Sequence, residues 1–126
     1  MSDIVVREGT PDELVAVMRS LDAGLLEATA AEVRTALAAG DCLVAADSGR
    51  VVGALVLDGD YVDSVAVSPS RRGRGIGTTL VRDALARRGR LVADFDERVR
   101  PFYESLGFDI DDEDDRLRGV RVAASE

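Results

Sequence analysis

Arg71-Arg72-Gly73-Arg74-Gly75-Ile76-Gly77 threads three alternate glycines with arginines between a strand-like run and a helix-like run, and no other stretch constrains the chain as strongly. Upstream, Tyr61 to Val67 alternates and ends in Ser68-Pro69-Ser70. Downstream, Ile76, Leu80, Val81, Ala84 and Leu85 recur at helical spacing until Gly89. The glycine loop therefore opens a helix. A helix start presents unpaired backbone N–H groups and about half a positive charge, while glycine lets a ligand reach the backbone with no Cβ in the way. Phosphate or pyrophosphate is the natural guest.

Two common phosphate loops fail on specific residues. The nucleotide-hydrolase loop ends in Gly-Lys-Ser/Thr, and the chain has no lysine. The dinucleotide fingerprint needs a third glycine where Thr78 or Leu80 stands. The run Val65-Ala66-Val67-Ser68-Pro69-Ser70-Arg71-Arg72-Gly73-Arg74-Gly75-Ile76-Gly77 instead resembles the acetyl-coenzyme A signature of the GNAT N-acetyltransferases, Gln/Arg-x-x-Gly-x-Gly/Ala, with Arg72, Gly75 and Gly77 at the fixed positions.

A second block, Phe102-Tyr103-Glu104-Ser105-Leu106-Gly107-Phe108, follows the loop by about thirty residues and is similar to the other GNAT hallmark, a helix bearing Phe-Tyr and then Leu-Gly-Phe. Ordinary packing at a helix end stopped by Gly107 accounts for the same residues, and both readings hold together. Three of the five aromatic residues fall in this block. Random core usage would not place them there.

With 126 residues the chain has the length of one domain, read as 1–126. A hydrophobic content of 46% and a mean hydropathy near zero fit a globular protein. No apolar run approaches the roughly 20 residues that cross a bilayer, and Met1-Ser2-Asp3-Ile4 lacks a secretory pattern, so the expectation is cytoplasmic. Cys42, the only cysteine, reads as a small core residue; no histidine is present to activate it. Net charge is −8, and all sixteen basic residues are arginine. Nucleic acid and anionic membranes are excluded as partners on that balance. Absence of lysine with abundant aspartate resembles the proteins of salt-accumulating archaea, which makes the expectation halophilic. Arg71, Arg72 and Arg74 reverse the field at the loop, whereas Arg87, Arg88 and Arg90 are read at the end of the following helix as complements to its dipole.

The remaining pattern predicts strands at Ile4 to Arg7, Leu43 to Ala46, Val51 to Leu57, Leu91 to Phe95, Phe108 to Ile110 and Leu117 to Val122. Helices are predicted from Thr10-Pro11 to Leu21, about Ala28 to Ala39 with Glu27 or Thr29 near its start, and about Val99 to Leu106. Asp47-Ser48-Gly49-Arg50 reads as a hairpin turn. The resulting order, β-α-α-β-β-β-α-β-α-β-β, is the one GNAT domains show. The resemblance implies an α/β (α+β) single GNAT fold, with a mixed, largely antiparallel sheet of about six to seven strands flanked by about four helices.

The same resemblance implies an acetyl-CoA-dependent N-acetyltransferase in which a primary amine attacks the thioester directly. Backbone groups of Val65, Ala66 and Val67 would bond the pantetheine arm as an added strand. N–H groups of Arg72, Gly73, Arg74, Gly75, Ile76, Gly77 and Thr78 would hold the pyrophosphate. Tyr103 matches the tyrosine that protonates the departing thiolate, a transfer uphill by roughly 2 kcal/mol at reference pKa values. Two residues depart from the family pattern: Asp96 stands where Asn is frequent, and Pro101 falls inside the predicted helix, which moves its start toward Arg100 or kinks it.

A carboxylate is the expected base, since no histidine is available. Alternation places Tyr61, Asp63 and Val65 on one face of the strand, so Asp63 is the first candidate, Tyr61 the second and Glu27 the third. Asp111-Asp112-Glu113-Asp114-Asp115 reads as a solvated loop, although five acids near an acceptor cleft would also draw a cationic amine. With no histidine and one cysteine, no metal site is expected. The rival class is a non-catalytic acyl-CoA-binding or interaction module on the same fold, and the chain is expected as a monomer or homodimer. The loops expected to select the acceptor, 22–28 and 109–116, carry no signature.

Overall fold

In the computed structural model, residues 4–23, 29–111 and 117–123 are described. Glu27, residues 112–115 of the acidic run and Arg116 lie outside them, as does most of the first expected acceptor loop. Seven strands form one sheet: β1 (Ile4–Glu8), β2 (Cys42–Asp47), β3 (Arg50–Asp58), β4 (Tyr61–Val67), β5 (Arg90–Phe95), β6 (Asp109–Asp111) and β7 (Leu117–Val122). Their order is β1-β2-β3-β4-β5-β7-β6, antiparallel throughout except where β5 runs parallel to β4. Four α-helices are described, α1 (Leu14–Ala23), α2 (Ala30–Ala39), α3 (Ile76–Arg88) and α4 (Arg100–Ser105), together with three short 3₁₀ turns.

Helix ends follow the local chemistry. The Thr29 hydroxyl accepts from the Glu32 N–H to cap α2, and left-handed Gly40 closes it. Before α1, Pro11–Glu13 forms a 3₁₀ turn held by a capping box between Thr10 and Glu13. Arg7 on β1 reaches that turn with a two-pronged ion pair to Glu13 at 2.8 and 2.9 Å. This pairing, ahead of the opposing cost of burial, holds the Glu13 carboxyl down at about 2. A depressed carboxyl stabilises the fold above its ordinary pKa and ceases to do so as pH falls toward 2. Acid unfolding of Arg7→Ala is accordingly expected to begin at higher pH than in the wild type, followed by circular dichroism; coincident acid limbs would exclude the contribution.

The sheet carries an apolar layer on each face. On one side Leu55, Leu57, Val62, Leu80, Leu91, Phe95 and Tyr103 pack beneath α3 and α4; on the other Val17, Leu21, Val33, Leu37, Val44 and Val56 pack beneath α1 and α2. Burying each such leucine contributes about 1.5–3 kcal/mol. Gly53 sets how closely α3 lies on the sheet, since a Cβ there would sit 3.1 Å from the Ala66 carbonyl and 3.4 Å from both Ile76 and Leu80 side chains. Cys42 is fully buried in the second layer, and burial pushes its thiol up to about 12, as suits a core residue rather than a nucleophile.

Two expectations are corrected, for β4 and for Arg90, while the last helix starts where Pro101 is expected to place it. Strand β4 does not alternate uninterrupted: Leu57 pairs with Val62 and Val56 with Ser64, so Asp63 is the extra residue of a β-bulge. Val62 and Val65 consequently both face the α3 layer, and Val65 does not share the face of Asp63. The last helix starts at Arg100 after a 3₁₀ turn, Glu97–Val99, with Pro101 in its first turn, where no N–H is needed. Arg90 opens β5 rather than ending α3, and pairs with Asp60.

Candidate active site

β4 and β5 are paired at only one register position, Tyr61 with Val92. Beyond it the strands part, and a cleft of about 540 Å³ opens between them. Val62 to Val65 line one wall, Asp94 to Asp96 the other, and Arg98, Val99, Phe102 and Tyr103 close one end. A parted parallel pair leaves strand edge groups of β4 facing the opening, so an extended amide-bearing ligand can take the place of the missing neighbour.

Tyr103 is held by aromatic contacts on three sides. Its ring stacks on Phe95 at 4.3 Å and meets Phe102 and Phe108 edge-on at 5.0 and 5.1 Å. Burial first, and the neighbouring Tyr61 second, push its phenol up to about 12. It is thus a neutral hydroxyl at every physiological pH.

Asp63 reaches the same cleft from the other side of the sheet and also lines a second cavity of about 440 Å³, bounded by Glu32, Thr35, Asp41 and Asp58. Partial burial, then repulsion from Glu32 and Asp58, raises its pKa. Both causes make it a better proton acceptor than a solvated carboxylate. Tyr61 donates its hydroxyl hydrogen to Asp94 at 3.1 Å, and Asp94 also takes two hydrogen bonds from Arg118. Tyr61 is therefore engaged elsewhere.

At the far end of β4, Pro69–Arg71 makes a 3₁₀ turn, and Gly73 and Gly75 both adopt left-handed backbone, φ 80° and 77°, before α3 begins. The first intrahelical bond runs from the Thr79 N–H to the Gly75 carbonyl, so the N–H groups of Ile76, Gly77 and Thr78 precede the ladder. A Cβ at Gly73 or Gly75 would meet no protein atom within 4 Å. That open cradle at the positive end of a 13-residue helix fits a pyrophosphate. Of the loop arginines, Arg71 is committed to an ion pair with Asp47, and the Arg72 Nε–H donates to the Val67 carbonyl at 3.3 Å. Asp96 caps the Glu97–Val99 turn by accepting from the Arg98 N–H at 3.0 Å and pairs with the Arg98 side chain. Its charge is thereby offset within the cleft wall. The sequence reading passed over Ser64 and Asp94 in the cleft lining; a lone serine in an apolar strand was the only available signal for the first.

A family model described as an acetyltransferase (GNAT) domain matches residues 38–110, from the end of α2 through β6. Over 67 residues the chain is 33% identical to the peptidyl-lysine N-acetyltransferase YjaB of Salmonella typhimurium, covering 51% of this chain and 46% of that protein. The match thus spans about half the length of this curated relative. The fold superposes on the crystal structure of a GNAT-family acetyltransferase from Bacillus cereus with a TM-score of 0.82 at 16% identity, over 97% of this chain and 99% of that one. It likewise superposes on Rv2747 from Mycobacterium tuberculosis, crystallised in complex with CoA, with a TM-score of 0.80 at 21% identity, over 95% of this chain and 99% of that one. Fold and family model agree on an acetyltransferase (GNAT) domain. The chain belongs to the GNAT acetyltransferase family.

Proposed function

We propose that the chain transfers the acetyl group of acetyl-CoA to a primary amine by direct attack in a ternary complex, with Asp63 as general base and Tyr103 as general acid. The observation that carries this reading is that both side chains line one cleft, at the point where β4 and β5 part. Backbone groups of Val65, Ala66 and Val67 would bond the pantetheine arm, and the N–H groups from Arg72 to Thr78 would hold the pyrophosphate. When bound, the coenzyme supplies an activated acetyl thioester. A β4 N–H near Val67 would donate to the acyl oxygen, Asp63 would take the proton of the attacking nitrogen, and Tyr103 would give its proton to the departing sulfur. Positioning is the larger contribution.

The acid lining of the second cavity, Glu32, Asp58 and Asp63, favours a cationic acceptor that gives one proton to solvent before it attacks as the neutral amine. Asp41, on the same wall, is held by Arg88. A lysine side chain, the acceptor class named for the Salmonella relative, is one such amine. The test is incubation with acetyl-CoA and three acceptors: an Nα-blocked lysine peptide, a lysine-free peptide with a free N-terminus, and putrescine. Thiol release and a 42 Da mass gain, about one acetyl group, are expected with at least one of them. Protein that binds CoA yet acetylates none would sink the reading.

A further inference from the structure

The bulge in β4 changes what the cleft can hold. In an unbroken strand Asp63 and Ser64 would point to opposite faces. Here Ser64 pairs with Val56, which packs in the α1–α2 layer, and Asp63 lines the cavity beside α2, so consecutive polar side chains serve the same face. Ser64 is only 9% exposed and lines the cleft. Among the described residues its hydroxyl has no hydrogen-bond partner, nor is it one of the fully enclosed polar atoms. The hydroxyl is thus neither paired among the described residues nor sealed off, and its donor and acceptor positions are open to a group that enters the cleft.

We propose that Ser64 is an acceptor-binding residue that, with Asp63, selects primary amines. A neutral primary amine has two N–H groups and one lone pair. One N–H is donated to Ser64 Oγ and the other to the Asp63 carboxylate, which leaves the lone pair directed into the cleft. As the C–N bond forms, Asp63 takes the proton it already holds by hydrogen bond, and Ser64 keeps its own. A secondary amine offers one N–H and satisfies only one of the two oxygens. This inference rests on the reading of Asp63 as the base.

The test compares an Nα-blocked lysine peptide with the same peptide carrying Nε-methyl-lysine, in wild type and Ser64→Ala. Loss of one neutral hydrogen bond is expected to lower kcat/KM for the lysine peptide about tenfold and to erase most of the preference over the methylated one. Calorimetry of the lysine peptide against the CoA-bound protein supplies a readout without turnover, with a several-fold weaker affinity expected in Ser64→Ala and unchanged CoA binding. Ser64→Thr, which keeps the hydroxyl, should restore the preference. Ser20→Ala removes the other buried serine hydroxyl among the described residues, 3% exposed and outside the cleft, and should change nothing. Unaltered peptide affinity and amine preference in Ser64→Ala, with Asp63→Asn inactive, would overturn the role of Ser64 and leave that of Asp63 standing. If the wild type acetylates no amine offered, putrescine and a free peptide N-terminus included, the acetyl-transfer reading fails on its own, and equal calorimetric affinities of wild type and Ser64→Ala would overturn this inference as well.

Discussion

Tyr103→Phe is expected to lower kcat by about a hundredfold while leaving CoA affinity and thermal stability close to wild type. The substitution removes one oxygen and keeps the ring that stacks on Phe95 and meets Phe102 and Phe108, so the aromatic contacts survive. Acidity is not the qualification of this residue. A phenol near 12 that protonates a thiolate of ordinary pKa works uphill by about 5 kcal/mol. Burial in the same cleft also destabilises a thiolate, which narrows the gap. What the site supplies is a hydroxyl fixed in the cleft and neutral throughout the working range. Activity should therefore show no alkaline limb from Tyr103 below about pH 11, and, with Asp63 as the base, an acid limb displaced upward from that of a solvated aspartate. Steady-state kinetics with isothermal titration of CoA checks both parts; an unchanged kcat would remove Tyr103 from the mechanism.

Features fixed by short-range chemistry were legible in the sequence. The helix start at Ile76 follows from local pattern and was announced by the glycine loop; the positive φ at Gly73 and Gly75 is backbone that glycine adopts at no steric cost. Pro101 likewise announced the start of α4, because a ring without an N–H is accommodated only in the first turn. The bulge at Asp63 carried no such mark. Its cause is the register between β3 and β4, a tertiary choice, and a strict alternation rule assigned Val65 to the wrong face. Asp96 shows the same division. Read as a residue type it adds a carboxylate beside an anionic ligand, but in the fold it caps a turn and pairs with Arg98. Pairings across the sheet, such as Arg71 with Asp47 and Tyr61 with Asp94, join residues that are 24 and 33 positions apart and decide which groups remain for a ligand.

Gly75→Ala should separate strain from ligand binding, because an internal control exists at the opposite end of the same helix. Gly75 and Gly89 bracket α3 with nearly equal left-handed backbone, φ 77° and 81°, and at both a Cβ would meet no protein atom within 4 Å. An alanine at either place carries the same conformational cost, about 1–2 kcal/mol, and should lower the melting temperature by a few degrees in each variant. The two differ in what lies outside the protein. Both positions are exposed, but Gly75 adjoins the N–H groups of Ile76, Gly77 and Thr78 that would hold the pyrophosphate on the proposed reading, so a methyl there would obstruct it, whereas Gly89 lies at the other end of the helix. Two charge-assisted hydrogen bonds to a phosphate are worth about 1.5–3 kcal/mol each, so CoA affinity should fall at least about a hundredfold in Gly75→Ala and remain unchanged in Gly89→Ala. Equal losses in both variants would mean that the coenzyme responds to the stability of α3 rather than to the open cradle at its start.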